Sequence, residues 1–342
     1  MVADKFTLPA SPVGIIESLT SGFEVVATHL YILLLPLAID LFLWMGPRFT
    51  LRPFWAGLEQ AFASAEGDNK DAMVQLVRIL HAQAQAAPNR YLPVLLPPTL
   101  YGGRQSVSLP FDFKPLVIQT PFGVLIGVVL ALLGGFVLCE IYLGWIAACV
   151  VGEPLSVWRA VRRYLSVAVQ TMLAGTGIVL IGLASFFAIT VVFVILQALG
   201  VDPSVAQSLF ILFILIIMFM FVFPACIMLM FTIHSMFLNG RNIIAAMWDS
   251  IRVVQWNMLP TTILLILVVG IYLAMNTVWA LADRGTWLAL AAIGGNSFIA
   301  AGLIAATFVY FRDRYRYWRE IREQLLAELE RRRGQQDTNR QA

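Results

Sequence analysis

The stretch Ile141–Leu180 reads IYLGWIAACVVGEPLSVWRAVRRYLSVAVQTMLAGTGIVL: an apolar segment, a Gly-Glu-Pro break, a short basic segment and a second apolar segment. The same plan recurs ninety residues later in Phe231–Leu267, FTIHSMFLNGRNIIAAMWDSIRVVQWNMLPTTILLIL. The residues that the two copies share are Trp158 and Arg162 in the first and Trp248 and Arg252 in the second. This pattern predicts two helical hairpins, each turned through an amphipathic elbow helix that lies at a membrane surface.

The composition places the chain in a membrane. Of its 342 residues, 60% are hydrophobic and only 13% are charged, whereas soluble domains have about half apolar and a quarter charged residues. A bilayer accepts such a chain, since each spanning helix needs about 20 apolar residues and satisfies its own backbone hydrogen bonds. The net charge of +3 is small, and no basic run interleaved with aromatic residues is present. The lipid bilayer is therefore the expected partner, and nucleic acid is not.

The apolar runs predict an all-α bundle with six spans and two hairpin repeats of the same orientation. The predicted segments are an N-terminus over 1–24, a first span over 25–45, a loop over 46–117, a five-helix region over 118–311 and a charged helical tail over 312–342. Within the five-helix region the repeats cover 120–199 and 207–282, and a last span covers 287–311. Pro36 and Pro224 stand inside spans, where a missing N–H predicts kinks.

The basic residues predict which way the spans run. Arginine and lysine in short loops favour the cytoplasmic side, while long loops count little. With both termini in the cytoplasm, the short inner loops carry Arg159, Arg162, Arg163, Arg241 and Arg252, and the short outer loop carries Arg284. We therefore expect a multi-pass protein of the bacterial cytoplasmic (inner) membrane with both termini inside.

Amphipathic patterns occur outside the spans as well. The outer loop predicts two amphipathic helices followed by a proline-rich stretch. For the second elbow we expect a buried face and an exposed face; the buried one consists of Ile244, Met247, Ile251 and Val254, and the exposed one of Asp249, Arg252 and Gln255. In the tail, Arg316 with Glu320 and Arg319 with Glu323 are predicted ion pairs. The apolar stripe of the tail, which predicts a protein partner, consists of Trp318, Ile321, Leu325 and Leu329.

Two sets of polar residues fall within the predicted spans. Glu140, His234 and His29 all lie toward the cytoplasmic side, and they predict either a proton or cation site or hydrogen bonds that hold helices together. A carboxylate in hydrocarbon costs several kcal/mol or more unless it is paired or protonated. A second set in the outer half is expected to join helices; its members are Asp40, Asn276 and Asn296.

The sequence contains no motif that indicates catalysis. It lacks G-x-S-x-G, H-E-x-x-H, G-x-x-x-x-G-K and G-x-G-x-x-G. The three cysteines, Cys139, Cys149 and Cys226, stand in apolar runs with no C-x-x-C, which argues against a disulfide framework or a zinc site. We expect no enzyme activity, no cofactor and no metal.

One resemblance adds to this interpretation. The run MFLNGRNIIAAMWDSIRVVQWNM, followed by a Gly- and Ala-rich final span ending FVYFRDRYRYW, resembles uncharacterised bacterial polytopic membrane proteins. These include the membrane domains found beside some glycerophosphodiester phosphodiesterases. The resemblance covers roughly residues 118 to 318 and implies architecture alone.

Two functions remain open from the sequence. The first is a non-enzymatic scaffold or subunit of a membrane complex, which would bind its partner through the tail and the outer loop. The alternative is a secondary transporter or channel for a small solute or ion, which would use Glu140 in broken, repeated spans.

Overall fold

The computed structural model describes residues 11–45, 49–50, 52–64, 70–86, 99–100, 116–117, 120–152, 157–282 and 286–341. Its twelve α-helices in these ranges are α1 Ile15–Thr28, α2 Leu34–Met45, α3 Arg52–Ser64, α4 Lys70–Ala86, α5 Pro121–Val151, α6 Val157–Ala198, α7 Pro203–Ile217, α8 Phe223–Leu229, α9 Thr232–Asn239, α10 Ile243–Trp256, α11 Met258–Ala280 and α12 Leu288–Gln341. Extended pairing in the same ranges is limited to Phe49–Thr50 beside Leu116–Val117, in parallel.

Five helices are long and apolar enough to cross a membrane, and a bent pair makes a sixth if it counts as one span. The five candidates are Pro121–Val151, Arg162–Gly182, Phe210–Asn239, Met258–Trp279 and Leu288–Arg333. The prediction of an all-helical chain with five to six apolar helices of spanning length is thereby confirmed.

The bent pair differs from the first predicted span over 25–45. Helix α1 begins at Ile15 and meets the following segment, Leu30–Met45, at 88°. The break lies at His29, whose φ of −131° and ψ of 57° are not helical, and the predicted site of a kink, Pro36, lies seven residues further on. Pro36 occupies the first turn of α2, where the missing N–H of a proline is tolerated.

The two predicted elbow helices form differently. The second is a separate helix, α10, which the side chain of Asn242 caps by accepting the N–H of Ala245. The first continues into the apolar segment as the single helix α6. The difference follows the prolines, because Pro260 has no N–H for the carbonyl of Trp256, where α10 ends, and the corresponding part of α6 has no proline.

The last span and the charged tail form one helix of 54 residues, α12. The sequence predicted them as separate segments over 287–311 and 312–342. The sequence around Phe311 contains no Gly or Pro that would end a helix. The predicted ion pairs of the tail are confirmed: Arg316 lies 3.7 Å from Glu320 and Arg319 lies 3.6 Å from Glu323. Such pairs favour continuation of the helix.

The irregular backbone near Pro224 is a π-helical turn over Met218–Val222. The N–H of Phe223 bonds the carbonyl of Met218, five residues back. Because the proline ring would collide with a carbonyl four residues before it, the wider turn makes room for it. A second break follows between α8 and α9, at Met230 and Phe231.

The helices divide into two compact units. The first unit comprises residues 1–22, 166–266 and 306–342. Its buried core is aromatic: the ring of Phe231 lies 5.7 Å from that of Tyr310 and 5.4 Å from that of Phe311. Helix α10 packs against α8 and α9. These contacts fix the surroundings of the helix break.

The second unit comprises residues 23–165 and 267–305. A buried cluster joins Leu100 to Ala289, Ala292 and Ile293. Helices α3 and α4 pack together, with Arg78 2.6 Å from Glu59. The ring of Phe23 lies so close to Gly302 that any Cβ there would collide with it, which explains a glycine in this tightly packed part of α12.

Candidate functional site

The best-defined polar cluster of the chain surrounds the break between α8 and α9, in the first unit. Ser250 of α10 is fully buried. Its hydroxyl donates to the carbonyl of Met228 at 2.6 Å and accepts the N–H of Phe231 at 3.0 Å. One side chain thus satisfies a donor and an acceptor of the break, which would be costly to leave unpaired in a bundle interior.

A carboxylate lies one residue before this serine. Asp249 is only 3% exposed and accepts a hydrogen bond of 2.8 Å from the hydroxyl of Ser235. Its Oδ2 also lies 3.5 Å from Nε of Arg241. The hydrogen bond with Tyr315 and the Asp249 charge raise the pKa of Arg241 above its ordinary value. The cluster therefore joins α9, α10 and α12, and the positive charge of Arg241 balances the negative charge of Asp249.

The orientation of α10 matches the sequence prediction in part, because Val254 is buried and Arg252 and Gln255 are exposed as expected. Asp249 was expected to be exposed and is buried, whereas Ile244 was expected to be buried and is exposed. The buried face of α10 consists of Ala246, Asp249, Ser250, Val253 and Val254. The prediction placed every polar side chain of α10 on the exposed face, but in a membrane protein a carboxylate that finds partners can face the bundle.

His234 lies in the same unit, one turn into α9. Its Nε2 is 2.8 Å from Oγ1 of Thr307 in α12, and its ring centre lies 4.1 Å from that of Phe308. The ring of Phe231 meets it edge-on at 5.2 Å. The imidazole therefore joins α9 to α12 within an aromatic shell.

The other two members of the predicted set, Glu140 and His29, belong to the second unit. Glu140 is buried in α5. His29 occupies the break after α1, where its Nδ1 lies 2.9 Å from the carbonyl of Val25. Close by, the hydroxyl of Tyr31 lies 2.9 Å from Sγ of Cys149 and links this segment to α5.

In the set expected to join helices, Asp40 is fully buried. Both of its carboxylate oxygens accept the N–H of Leu100, at 2.9 and 3.0 Å. Asp40 thus joins α2 to a distant segment of the chain. Asn296 is buried in α12 and Asn276 is half-buried in α11.

The residues shared by the two elbows can be compared only in part. The side chain of Trp158 lies outside the described residues, and Arg162 is exposed. Trp248 is 57% exposed. Arg252 is exposed, and its guanidinium carbon lies 5.4 Å from the centre of the Trp318 ring.

Sequence reasoning missed the roles of Ser250 and Asp249. The available signal was a lone Asp-Ser pair inside the run IIAAMWDSIRVV, since an isolated polar pair in an apolar amphipathic segment favours the bundle side. Among the residues that the structure describes, no group of three or more His, Cys, Asp or Glu side chains could hold a metal ion.

Comparisons with known proteins give no further guide. No family model matches the sequence, and no curated protein or solved structure matches it. The resemblance to bacterial polytopic membrane proteins stays a prediction.

Proposed function

We propose that this protein is a non-enzymatic membrane scaffold, a subunit that binds another protein through the exposed end of α12. The observation that carries the proposal is the apolar stripe of the tail. Leu325 is 49% exposed and Leu329 is 54% exposed, on a charged helix that continues past the buried segment around Phe308. Exposed apolar side chains at helical spacing are typical of a surface that binds a partner helix or groove.

The polar contacts inside each unit support the same proposal. Ser250 bridges the break before α9, Asp249 holds Ser235 and Arg241, and Asp40 holds Leu100. Each of these buried groups joins two segments of the chain by hydrogen bonds. A rigid scaffold requires contacts of this kind.

The proposed topology has six spans, with the α1–α2 pair counted as the first, two hairpin repeats of the same orientation and both termini in the cytoplasm of a bacterial inner membrane. The arginines of the short loops support the orientation. The separate α10 and the continuous α6 mean that the repeats would share connectivity and not helix boundaries. In this orientation the tail meets its partner inside the cell.

Copurification tests the proposal. The full chain, solubilised from native membrane, is expected to retain a partner at a fixed ratio, measured by quantitative mass spectrometry. Leu325→Asp with Leu329→Asp should remove the partner, because two carboxylates in a docking stripe stay unpaired on binding. Ala327→Asp is the matched control, since residue 327 is exposed and lies on the opposite face of α12. Equal retention by both variants would overturn the docking role.

The alternative function, a secondary transporter or channel, is favoured by the burial of Glu140 in an apolar helix. A buried ionisable residue in a span is a functional candidate by default. In that case Glu140 would release and take up a proton or hold a cation during transport. The scaffold proposal instead gives it a structural hydrogen bond.

A further inference from the structure

Two arginines beside Trp318 in the first unit are not used by the scaffold proposal. Arg252 on α10 and Arg322 on α12 both approach the ring of Trp318, with guanidinium carbons 5.4 and 5.6 Å from its centre. A guanidinium over an indole gains a cation–π attraction. Two like charges directed at one ring nevertheless repel each other, so the arrangement favours an anion nearby.

The neighbouring carboxylates are engaged elsewhere. Glu320 pairs with Arg316, Glu323 with Arg319, and Asp249 with Arg241. Within the described part of the chain, neither Arg252 nor Arg322 forms an ion pair. The two guanidinium groups therefore present N–H donors that an external anion can accept.

The surroundings identify the kind of anion. On the outward face of α10, one turn to either side of Arg252, Trp248 is 57% and Trp256 is 71% exposed. Ile244, one turn before Trp248, continues the same exposed face. Exposed indoles with aliphatic side chains are typical of helices immersed at the level of lipid headgroups. In the proposed topology, we expect an arginine between two such indoles to lie at the level of the phospholipid phosphates.

We propose that Arg252 and Arg322, which both approach the ring of Trp318, form a binding site for the phosphate of an anionic phospholipid. The planar guanidinium groups match two phosphate oxygens each. Trp248 and Trp256 flank the headgroup in the interfacial layer. The site shares Trp318 with the N-terminal end of the apolar stripe, and Leu325 and Leu329 lie beyond it along α12.

Native mass spectrometry of the purified full-length protein in detergent micelles tests the site, with phosphatidylglycerol as the probe and phosphatidylcholine as the zwitterionic reference. The wild type is expected to bind phosphatidylglycerol more tightly. Each arginine near an anionic surface contributes about a factor of five, so Arg252→Gln with Arg322→Gln should raise the dissociation constant about thirtyfold.

The control is Arg316→Gln with Arg319→Gln, which removes the same charge from guanidinium groups that already have carboxylate partners. It should change the dissociation constant by less than about threefold. Equal losses for the two pairs, or no loss for either, would contradict the site. Displacement of the lipid by a molar excess of inorganic phosphate would show a free-anion site and overturn the lipid assignment.

If the glutamine pair does not fold, Arg252→Lys with Arg322→Lys provides the second variant. It keeps both positive charges and loses the planar forks. We expect it to retain a preference for phosphatidylglycerol over phosphatidylcholine, weaker than that of the wild type. Equal binding of the two lipids by the lysine pair would refute the proposal.

Discussion

The hydroxyl of Ser250 lies 3.0 Å from the backbone nitrogen of Phe231, nineteen residues before it in the chain, and completes the break between α8 and α9. The same oxygen donates to Met228 at 2.6 Å. The break is therefore stable because another helix supplies its hydrogen-bond partners. The local sequence around Phe231, which has no Gly or Pro, does not end the helix by itself.

Replacing this serine should destabilise the first unit. Ser250→Ala leaves a buried N–H and a buried C=O without their partner, at a cost of about 1–3 kcal/mol. Thermal unfolding in detergent, followed by circular dichroism, measures the change. Ser208→Ala is the control, because that exposed hydroxyl donates only to the carbonyl of Ser204 in its own helix and its loss should cost less than about 0.5 kcal/mol. Equal melting temperatures for the two variants would contradict the role of Ser250.

The contact between Asp40 and Leu100 makes a second prediction. Asp40→Ala removes the acceptor of a buried N–H, so the amide of Leu100 should exchange its hydrogen faster, in proportion to the opening of this contact. Asp40→Asn keeps one carbonyl acceptor and should fall between alanine and wild type. Hydrogen–deuterium exchange of the peptide that contains Leu100 makes the measurement. Unchanged exchange in the alanine variant would show that the carboxylate does not hold this segment.

The contacts of Ser250 and Asp40 could not be predicted from the sequence, whereas other features of the fold could. Apolar runs predicted the helices of spanning length, since a bilayer requires about 20 apolar residues whatever packs against them. The i,i+4 pairs Arg316–Glu320 and Arg319–Glu323 were also predictable, because one helix contains both partners. Length, hydrophobicity and residue spacing are therefore enough to predict features that lie within one segment.

Other features depend on residues far apart in sequence. Asp40 and Leu100 are sixty residues apart, and no local pattern pairs them. The breaks at His29 and Phe231 contain neither Pro nor Gly, so propensity gave no sign of them. The burial of Asp249 was missed for a different reason, because its partners Ser235 and Arg241 lie outside α10 and the pattern of that helix alone does not show them.

The start of α7 predicts a pH dependence. Hydrogen bonds from the side chain and the backbone N–H of Ser204 lower the pKa of Asp202 below its ordinary value of 3.8. A carboxyl with a lowered pKa in the folded state stabilises it above the unfolded pKa, and this contribution is lost as pH falls through the folded pKa. Melting temperatures of the wild type should therefore fall more than those of Asp202→Asn as pH drops from about 5 to about 2. Parallel curves would contradict the cap.

The topology predicts the labelling of engineered cysteines in a chain whose three native cysteines are replaced. With six spans and both termini inside, Lys5→Cys and Arg333→Cys should react with an impermeant thiol reagent only after the membrane is opened. Asp71→Cys in the outer loop should react in intact cells. If only one terminus is accessible from outside, the α1–α2 pair does not cross the membrane and the chain has five spans.

The measurement that tests the scaffold proposal most directly is complementation of a deletion strain by two variants expressed at wild-type level. Glu140→Gln keeps a hydrogen-bond donor and acceptor of similar size but can neither release a proton nor carry charge. The scaffold account predicts that Glu140→Gln restores the wild-type phenotype, while Leu325→Asp with Leu329→Asp does not, although Ala327→Asp does. A folded Glu140→Gln protein that fails to complement, beside a stripe variant that succeeds, would contradict the scaffold and favour the transporter.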